Sequence, residues 1–189
     1  MCMIESNRFA SRAGAKLLYA LDIFKVDVTG KICADFGSST GGFVDCLLQH
    51  GVKKVYAVET GYGLLAWKLR TDPRVMVLEK TNALHVELPE KMDLITIDTG
   101  WTKQALILAS AQKALKETGK VITLIKPSFE AGKKHPQIKQ AADEVAKLLN
   151  DITENIEEAG FKVLGLVESP ILGAKGRNIE YLGYLAVDK

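Results

Sequence analysis

Residues 31–43, Lys31-Ile32-Cys33-Ala34-Asp35-Phe36-Gly37-Ser38-Ser39-Thr40-Gly41-Gly42-Phe43, constrain this chain more than any other stretch. The short apolar run at 31–36 has the composition of a parallel strand covered on both faces. Gly37, Gly41 and Gly42 let the backbone take positive φ and come close to a ligand. A helix from about residue 41 to residue 50 then aims its N-terminal amides back into the turn. A buried strand, a glycine-rich turn and a helix in that order form the first unit of a wound α/β sheet.

The rest of the chain repeats the alternation. Residues 11–24 read as an amphipathic helix, with Leu17, Leu18, Leu21 and Phe24 at helical spacing and Ser11 as its cap. Strands are expected at 31–36, 55–59, 75–78, 93–98, 120–125, 161–167 and 179–187. Helices are expected at 64–69, 104–116 and 138–159, with Gly119 and Gly160 as the stops of the last two. Such alternation predicts a doubly wound, mostly parallel sheet of seven strands. The ending differs. About eleven residues separate the last two strands, and Pro170, Gly173 and Gly176 break them, which leaves no room for a crossover helix. The last strand is therefore expected to run antiparallel, as a hairpin with the sixth. Residues 1–189 read as one domain whose first ten residues are loose.

Composition narrows the class. Cys2, Cys33 and Cys46 have neither metal nor disulfide spacing, which fits a reducing cytoplasm, and Cys33 and Cys46 fall in apolar patterns suited to packing. The N-terminus carries Glu5, Arg8 and Arg12 and does not resemble a signal peptide. No apolar run approaches the ~20 residues of a membrane span. A net charge of +2 does not by itself imply nucleic acid. The basic groups Arg8, Arg12 and Lys16, and Lys133, Lys134 and Lys139, read first as solvated surface.

The turn points to a cofactor. Its pattern, Asp35-x-Gly37-x-x-x-Gly41-Gly42, lacks the spacing of a dinucleotide fingerprint and the Lys-Ser/Thr of a phosphate loop. An anion at Asp35 repels a pyrophosphate and suits a cationic ligand. S-adenosylmethionine carries a sulfonium and an ammonium and no phosphate. Glu59, 24 positions after Asp35 and at the end of the second strand, can accept both ribose hydroxyls. Asn82, after the third strand, can meet an adenine edge. The candidate cofactor set is thus Asp35, Gly37, Ser38, Ser39, Gly41, Gly42, Phe43, Glu59, Asn82 and Asp98. The competing reading of Glu59 is a surface ion pair with Lys53 or Lys54.

Four charges fall where charge is awkward. Asp98 ends one apolar strand and Lys126 another, Glu180 lies inside the last strand, and Lys16 adjoins the apolar face of the first helix. Charges at the carboxyl edge of an α/β sheet usually face the ligand crevice. Here the chain resembles the FtsJ-like ribose 2′-O-methyltransferases, most closely their TlyA type. The matching stretches are Ser11-Arg12-Ala13-Gly14-Ala15-Lys16-Leu17, residues 35–43, Val55-Tyr56-Ala57-Val58-Glu59-Thr60-Gly61-Tyr62-Gly63, Thr96-Ile97-Asp98, residues 125–132 and Asn178-Ile179-Glu180-Tyr181. The resemblance implies a Rossmann-like S-adenosylmethionine-dependent methyltransferase fold acting on ribosomal RNA or a ribosomal subunit. It also places the family's Lys-Asp-Lys-Glu set on Lys16, Asp98, Lys126 and Glu180. Some members carry the label hemolysin.

The implied chemistry suits those residue types. A lysine accepts a ribose hydroxyl proton only if its pKa falls from ~10.4 toward neutrality. A second lysine and a sulfonium push it down, and carboxylates push it up. Lys126 is therefore read as the base and Lys16 as the stabiliser of the oxyanion, with Asp98 and Glu180 holding the lysines and no metal involved. The chain departs from the family in three places. Thr99-Gly100-Trp101 stands where the family has a Ser-Phe pair, so Trp101 is expected to stack on a base. The loop after Gly132 is shorter than the family's. TlyA-type proteins carry a small RNA-binding domain ahead of the Lys16 helix that these residues do not include, so the expectation is either a fragment or a protein without that domain. Two other readings compete. A nucleotide-dependent oxidoreductase is opposed by Asp35 in the turn and by the four acceptor-side charges. A membrane-lysing protein finds no strongly amphipathic basic helix in its favour.

Overall fold

The structure is a computed structural model and describes residues 8–100, 102–130, 142–173 and 178–188. In chain order the elements are α1 (Ala13–Phe24), β1 (Ile32–Phe36), α2 (Gly42–Gln49), β2 (Lys54–Val58), α3 (Trp67–Arg70), β3 (Val75–Leu78), β4 (Met92–Ile97), α4 (Gln104–Ala114), β5 (Leu115–Ile125), α5 (Pro127–Glu130), α6 (Ala142–Glu158), β6 (Phe161–Glu168) and β7 (Tyr181–Val187). The seven strands form one sheet in the order β3-β2-β1-β4-β5-β7-β6. β3 to β5 are joined by parallel ladders, and β7 runs antiparallel between β5 and β6. The expected fold class is the observed one. Residues 169–180 are too few for a crossover, so the chain must double back.

Side chains alternate across the sheet and feed two cores. Cys33, Val55, Leu94, Ile122 and Leu182 pack with α1 and α2 through Leu17, Leu21, Phe43 and Leu47. On the other face Phe36, Ile95, Ile97, Val121 and Leu185 pack with α4 and α6 through Ile107, Leu108, Ile152 and Ile156. Cys33 and Cys46 are buried in the first core, and burial pushes the Cys33 thiol up to about 12, as packing groups require.

Four expectations need correction. Ser11 does not cap α1: Arg12 holds the N-cap position without a side-chain bond, and α1 starts at Ala13. Gly119 does not stop α4, which ends at Ala114. It lies inside β5, where the register with β4 jumps from Met92↔Leu115 to Leu94↔Lys120. Glu180 sits just ahead of β7 rather than inside it. Residues 8–10 are not loose. Phe9 is buried, the Ala10 amide donates to Asp45 Oδ2 at 2.7 Å, and Arg8 Nε donates to Gln49 Oε1 at 3.2 Å while Gln49 Nε2 returns a bond to the Arg8 carbonyl. The expected start of the long helix at 138, together with Trp101, Gly176, Lys133, Lys134 and Lys139, lies outside the described residues.

α1 can carry Lys16 to the sheet edge because its first turn touches α2 backbone to backbone. A Cβ on Gly14 would lie 2.7 Å from the Gly42 carbonyl oxygen and 2.4 Å from Phe9 Cγ. Gly14→Ala should therefore destabilise the protein by about 1–3 kcal/mol, the usual scale of overpacking. Thermal denaturation reads this, and an unchanged midpoint would show that α1 has slack against α2.

Candidate functional site

The ends of β1, β2, β4 and β5 and the beginning of β7 meet at one edge of the sheet. The turn after β1 approaches β4 so closely that a Cβ on Gly37 (φ 85°) would stand 2.7 Å from the Asp98 carbonyl oxygen. Ser39 adopts the left-handed region (φ 47°), and its amide donates to Glu59 Oε2 at 2.9 Å. Glu59 Oε1 accepts from the Gly61 amide at 2.8 Å and the Thr60 hydroxyl at 3.1 Å. Glu59 therefore ties the glycine turn to the loop after β2. The surface ion pair with Lys54 is not formed, because Lys54 pairs with Glu90 at 2.7 Å.

Two joined compartments open at this edge. The larger, about 540 Å³, is lined by Glu59, Asn82, Ala83, Asp98, Thr99 and Lys126 among others. That volume lies within the usual range of ligand crevices. The smaller, about 100 Å³, is lined by Ser11, Asp35, Ser38, Gly42 and Phe43, and shares Gly37, Ser39 and Asp98 with the larger. Every expected cofactor residue except Gly41 lines one or the other. Gly41 is the N-cap of α2 just behind them. Asn82 is exposed in the crevice lining, and its Oδ1 accepts from the Leu84 amide at 3.0 Å.

Asp35 sets the electrostatics. It is 1% exposed, and the Thr96 hydroxyl, opposite it in the β1–β4 ladder, donates to Oδ1 at 2.7 Å. Burial pushes its carboxyl up to about 7; the Thr96 bond pulls the other way, and the charges of Asp98 and Glu59 raise it further. No cation of the described residues pairs with it. A buried acid surrounded by acids fits a cationic ligand and repels a phosphate.

The four awkward charges form two pairs. Lys126 Nζ donates to Asp98 Oδ1 at 2.5 Å and to the Thr99 carbonyl at 3.2 Å. Lys16 Nζ, on α1, donates to Glu180 Oε2, and both side chains are buried. The pairs are neighbours through the sheet: Ile125 lies opposite Tyr181 in the last rung between β5 and β7, so Lys126 and Glu180 flank that rung. Asp98 and Lys126 line the crevice; Lys16 and Glu180 are buried and do not line it. Gln104 bonds to the chain on either side of Lys126: its side-chain Nε2 donates to the Leu124 carbonyl at 3.3 Å, and its backbone N–H donates to Glu130 Oε1 at 2.9 Å.

Sequence reasoning missed three residues. Ser11, read as a cap, lines the small compartment beside Asp35. Thr96, read as plain strand, partners Asp35, and the hydroxyl in an otherwise apolar run was the available signal. Thr99 holds Lys126 through its carbonyl, and its own hydroxyl is buried without a hydrogen-bond partner among the described residues.

A seven-stranded sheet with this strand order and an antiparallel β7 is a Rossmann-like fold, shared with solved structures such as those from Listeria monocytogenes and Mesorhizobium loti. Sequence comparison narrows the class: the family profile described as FtsJ-like methyltransferase matches residues 9–186, and the chain belongs to that family. It is 39% identical to Hemolysin A of Brachyspira hyodysenteriae, over 98% of this chain and 80% of that protein. It is 36% identical to the 16S/23S rRNA (cytidine-2′-O)-methyltransferase TlyA of Mycobacterium tuberculosis, over 96% of this chain and 70% of that one. A solved structure of a hemolysin candidate from Streptococcus thermophilus superposes with a TM-score of 0.90 at 39% identity, covering 98% of this chain and 69% of the other. Family membership sets aside the oxidoreductase reading. Among the described residues no helix is long and apolar enough to cross a membrane.

The state of Asp35 has a thermodynamic consequence. Its folded value, about 7, lies above its ordinary 3.8, so the folded protein holds a proton that the unfolded chain has lost. The resulting destabilisation is absent below pH ~4, grows as pH rises toward 7 and is complete above it. Asp35→Asn should flatten that part of the stability-versus-pH curve, measured by denaturant titration from pH 5 to 8. An equal slope in both proteins would move the buried proton elsewhere.

Proposed function

We propose that this chain methylates the 2′-hydroxyl of ribose in ribosomal RNA, with S-adenosylmethionine as donor. The observation that carries the reading is the Lys126–Asp98 pair in the wall of the acid-lined crevice, one rung from the buried Lys16–Glu180 pair. The names of the rRNA methyltransferases among its relatives support the same reaction. The residues fit the cofactor by their chemistry. Asp35, which pairs with no cation among the described residues, receives the ammonium, and the turn Gly37, Ser38, Ser39, Gly41, Gly42 and Phe43 encloses the amino-acid end. Glu59 accepts the ribose hydroxyls, Asn82 meets the adenine edge, and Asp98 lies where the two compartments join. Ser11 adds a hydroxyl to the small compartment. The cofactor supplies an electrophilic methyl group.

The chain's own residues handle the acceptor. Asp98 and the Thr99 carbonyl fix Lys126 Nζ at the crevice wall, where, once the ammonium has released its own proton to solvent, the neutral amine takes the proton of the ribose hydroxyl. Lys16, kept in place by Glu180 outside the crevice lining, favours the negative charge that develops on the oxygen through its field rather than by contact.

Two variants separate the two halves of the site. Lys126→Met keeps the stem and removes the ammonium; methyl transfer to ribosomal subunits should fall ~100-fold or more, while calorimetry finds the cofactor bound as before. Glu59→Ala should do the reverse, weakening cofactor binding by about 1.5–3 kcal/mol, the scale of hydrogen bonds to a charged group. Wild-type turnover in Lys126→Met would overturn the assignment of the base.

A further inference from the structure

We infer that Gly173 is a positioning residue for Glu180: the absence of a side chain there leaves the space through which the Glu180 carboxylate reaches Lys16. The connection from β6 to β7 brings the two residues together. Its neck is closed by two backbone hydrogen bonds, from the Ser169 amide to the Glu180 carbonyl and from the Gly173 amide to the Asn178 carbonyl, each 2.8 Å. The Ser169 hydroxyl adds a third bond, to the Ile171 carbonyl at 2.8 Å. Gly173 is therefore held in place by backbone and cannot back away without breaking that neck.

A Cβ built on Gly173 would lie 2.3 Å from Glu180 Oε1 and 2.9 Å from its Cδ. The next atom, the Asn178 carbonyl oxygen, is at an ordinary 3.4 Å. The backbone of Gly173 is not in the left-handed region, unlike that of Gly37, Gly41 or Gly160. Conformation alone would admit alanine at this position. What excludes it is one carboxylate, the far end of a rotatable side chain. The least costly response to a methyl group there is rotation of Glu180, not rearrangement of the loop. That rotation takes Oε2 away from Lys16, a side chain 9% exposed on α1, and leaves an ammonium buried without its counter-ion. A substitution that the loop accepts would thus act at a distance, through the buried pair.

For turnover, this rests on the role proposed above for Glu180; for the ion pair, it stands on geometry alone. A double-mutant cycle tests both in the full chain. Gly173→Ala should lower the thermal midpoint by ~5 °C or more and reduce methyl transfer roughly 10- to 100-fold, with cofactor affinity unchanged. In a Glu180→Ala background there is no carboxylate to displace, and adding Gly173→Ala should change neither quantity. If Glu180→Ala does not fold, Lys16→Met/Glu180→Ala removes both charges and serves as the background. An equal loss in the two backgrounds, or a wild-type midpoint for Gly173→Ala, would overturn the inference. If the cycle holds for stability but Glu180→Ala keeps full turnover, the catalytic role of Glu180 falls and the positioning role of Gly173 remains.

Discussion

The site depends on a constraint of chain length. Residues 169–180 are too short to cross the sheet, so β7 must enter it antiparallel, between β5 and β6. The other strands of the site arrive at the carboxyl edge by their ends; β7 alone arrives by its beginning. That reversal places Glu180 beside Lys126, next to the last rung of the β5–β7 ladder. It also places Glu180 within reach of Lys16 on α1, 164 residues away in sequence. With a parallel β7 the same glutamate would sit at the opposite edge, and Lys16 would be buried without a partner.

Desolvation then decides how the charges arrange themselves. Taking an ion out of water costs more than a loose partner returns, so buried charges are paired or give up their charge. Lys16 and Glu180 follow the first course, as do Lys126 and Asp98. Asp35 follows the second: its one strong partner is the neutral Thr96 hydroxyl, its charged neighbours are acids, and its carboxyl rises to about 7. Among the described residues, each acid on the acceptor side has its cation and Asp35 on the cofactor side has none. A positively charged ligand beside Asp35 would relieve this imbalance, and a phosphate would aggravate it.

Much of this was legible in the sequence because it rests on local signals. Apolar runs of strand length, a turn with three glycines and an acid ending the second strand are read one segment at a time. The short interval before the last strand gave away its direction. What was not legible depends on contacts across the sheet. Ser11 looks like a cap by position, yet α1 begins two residues later and the hydroxyl lines the small compartment. Gly119 looks like a helix stop, but Leu115 already pairs with Met92 and draws the chain into β5. Thr96 gains meaning only from the register that sets it opposite Asp35. The lysines and acids could be picked out as misplaced charges; which lysine takes which acid follows from strand order.

If this edge methylates a ribose hydroxyl rather than a base, the position of the transferred methyl reveals it. Ribosomal RNA labelled by the protein with tritiated S-adenosylmethionine would be hydrolysed completely in alkali. A 2′-O-methyl group blocks cleavage of the neighbouring phosphodiester, so the label should be recovered in an alkali-stable dinucleotide. Label recovered in mononucleotides would place the methyl on a base and contradict ribose methylation.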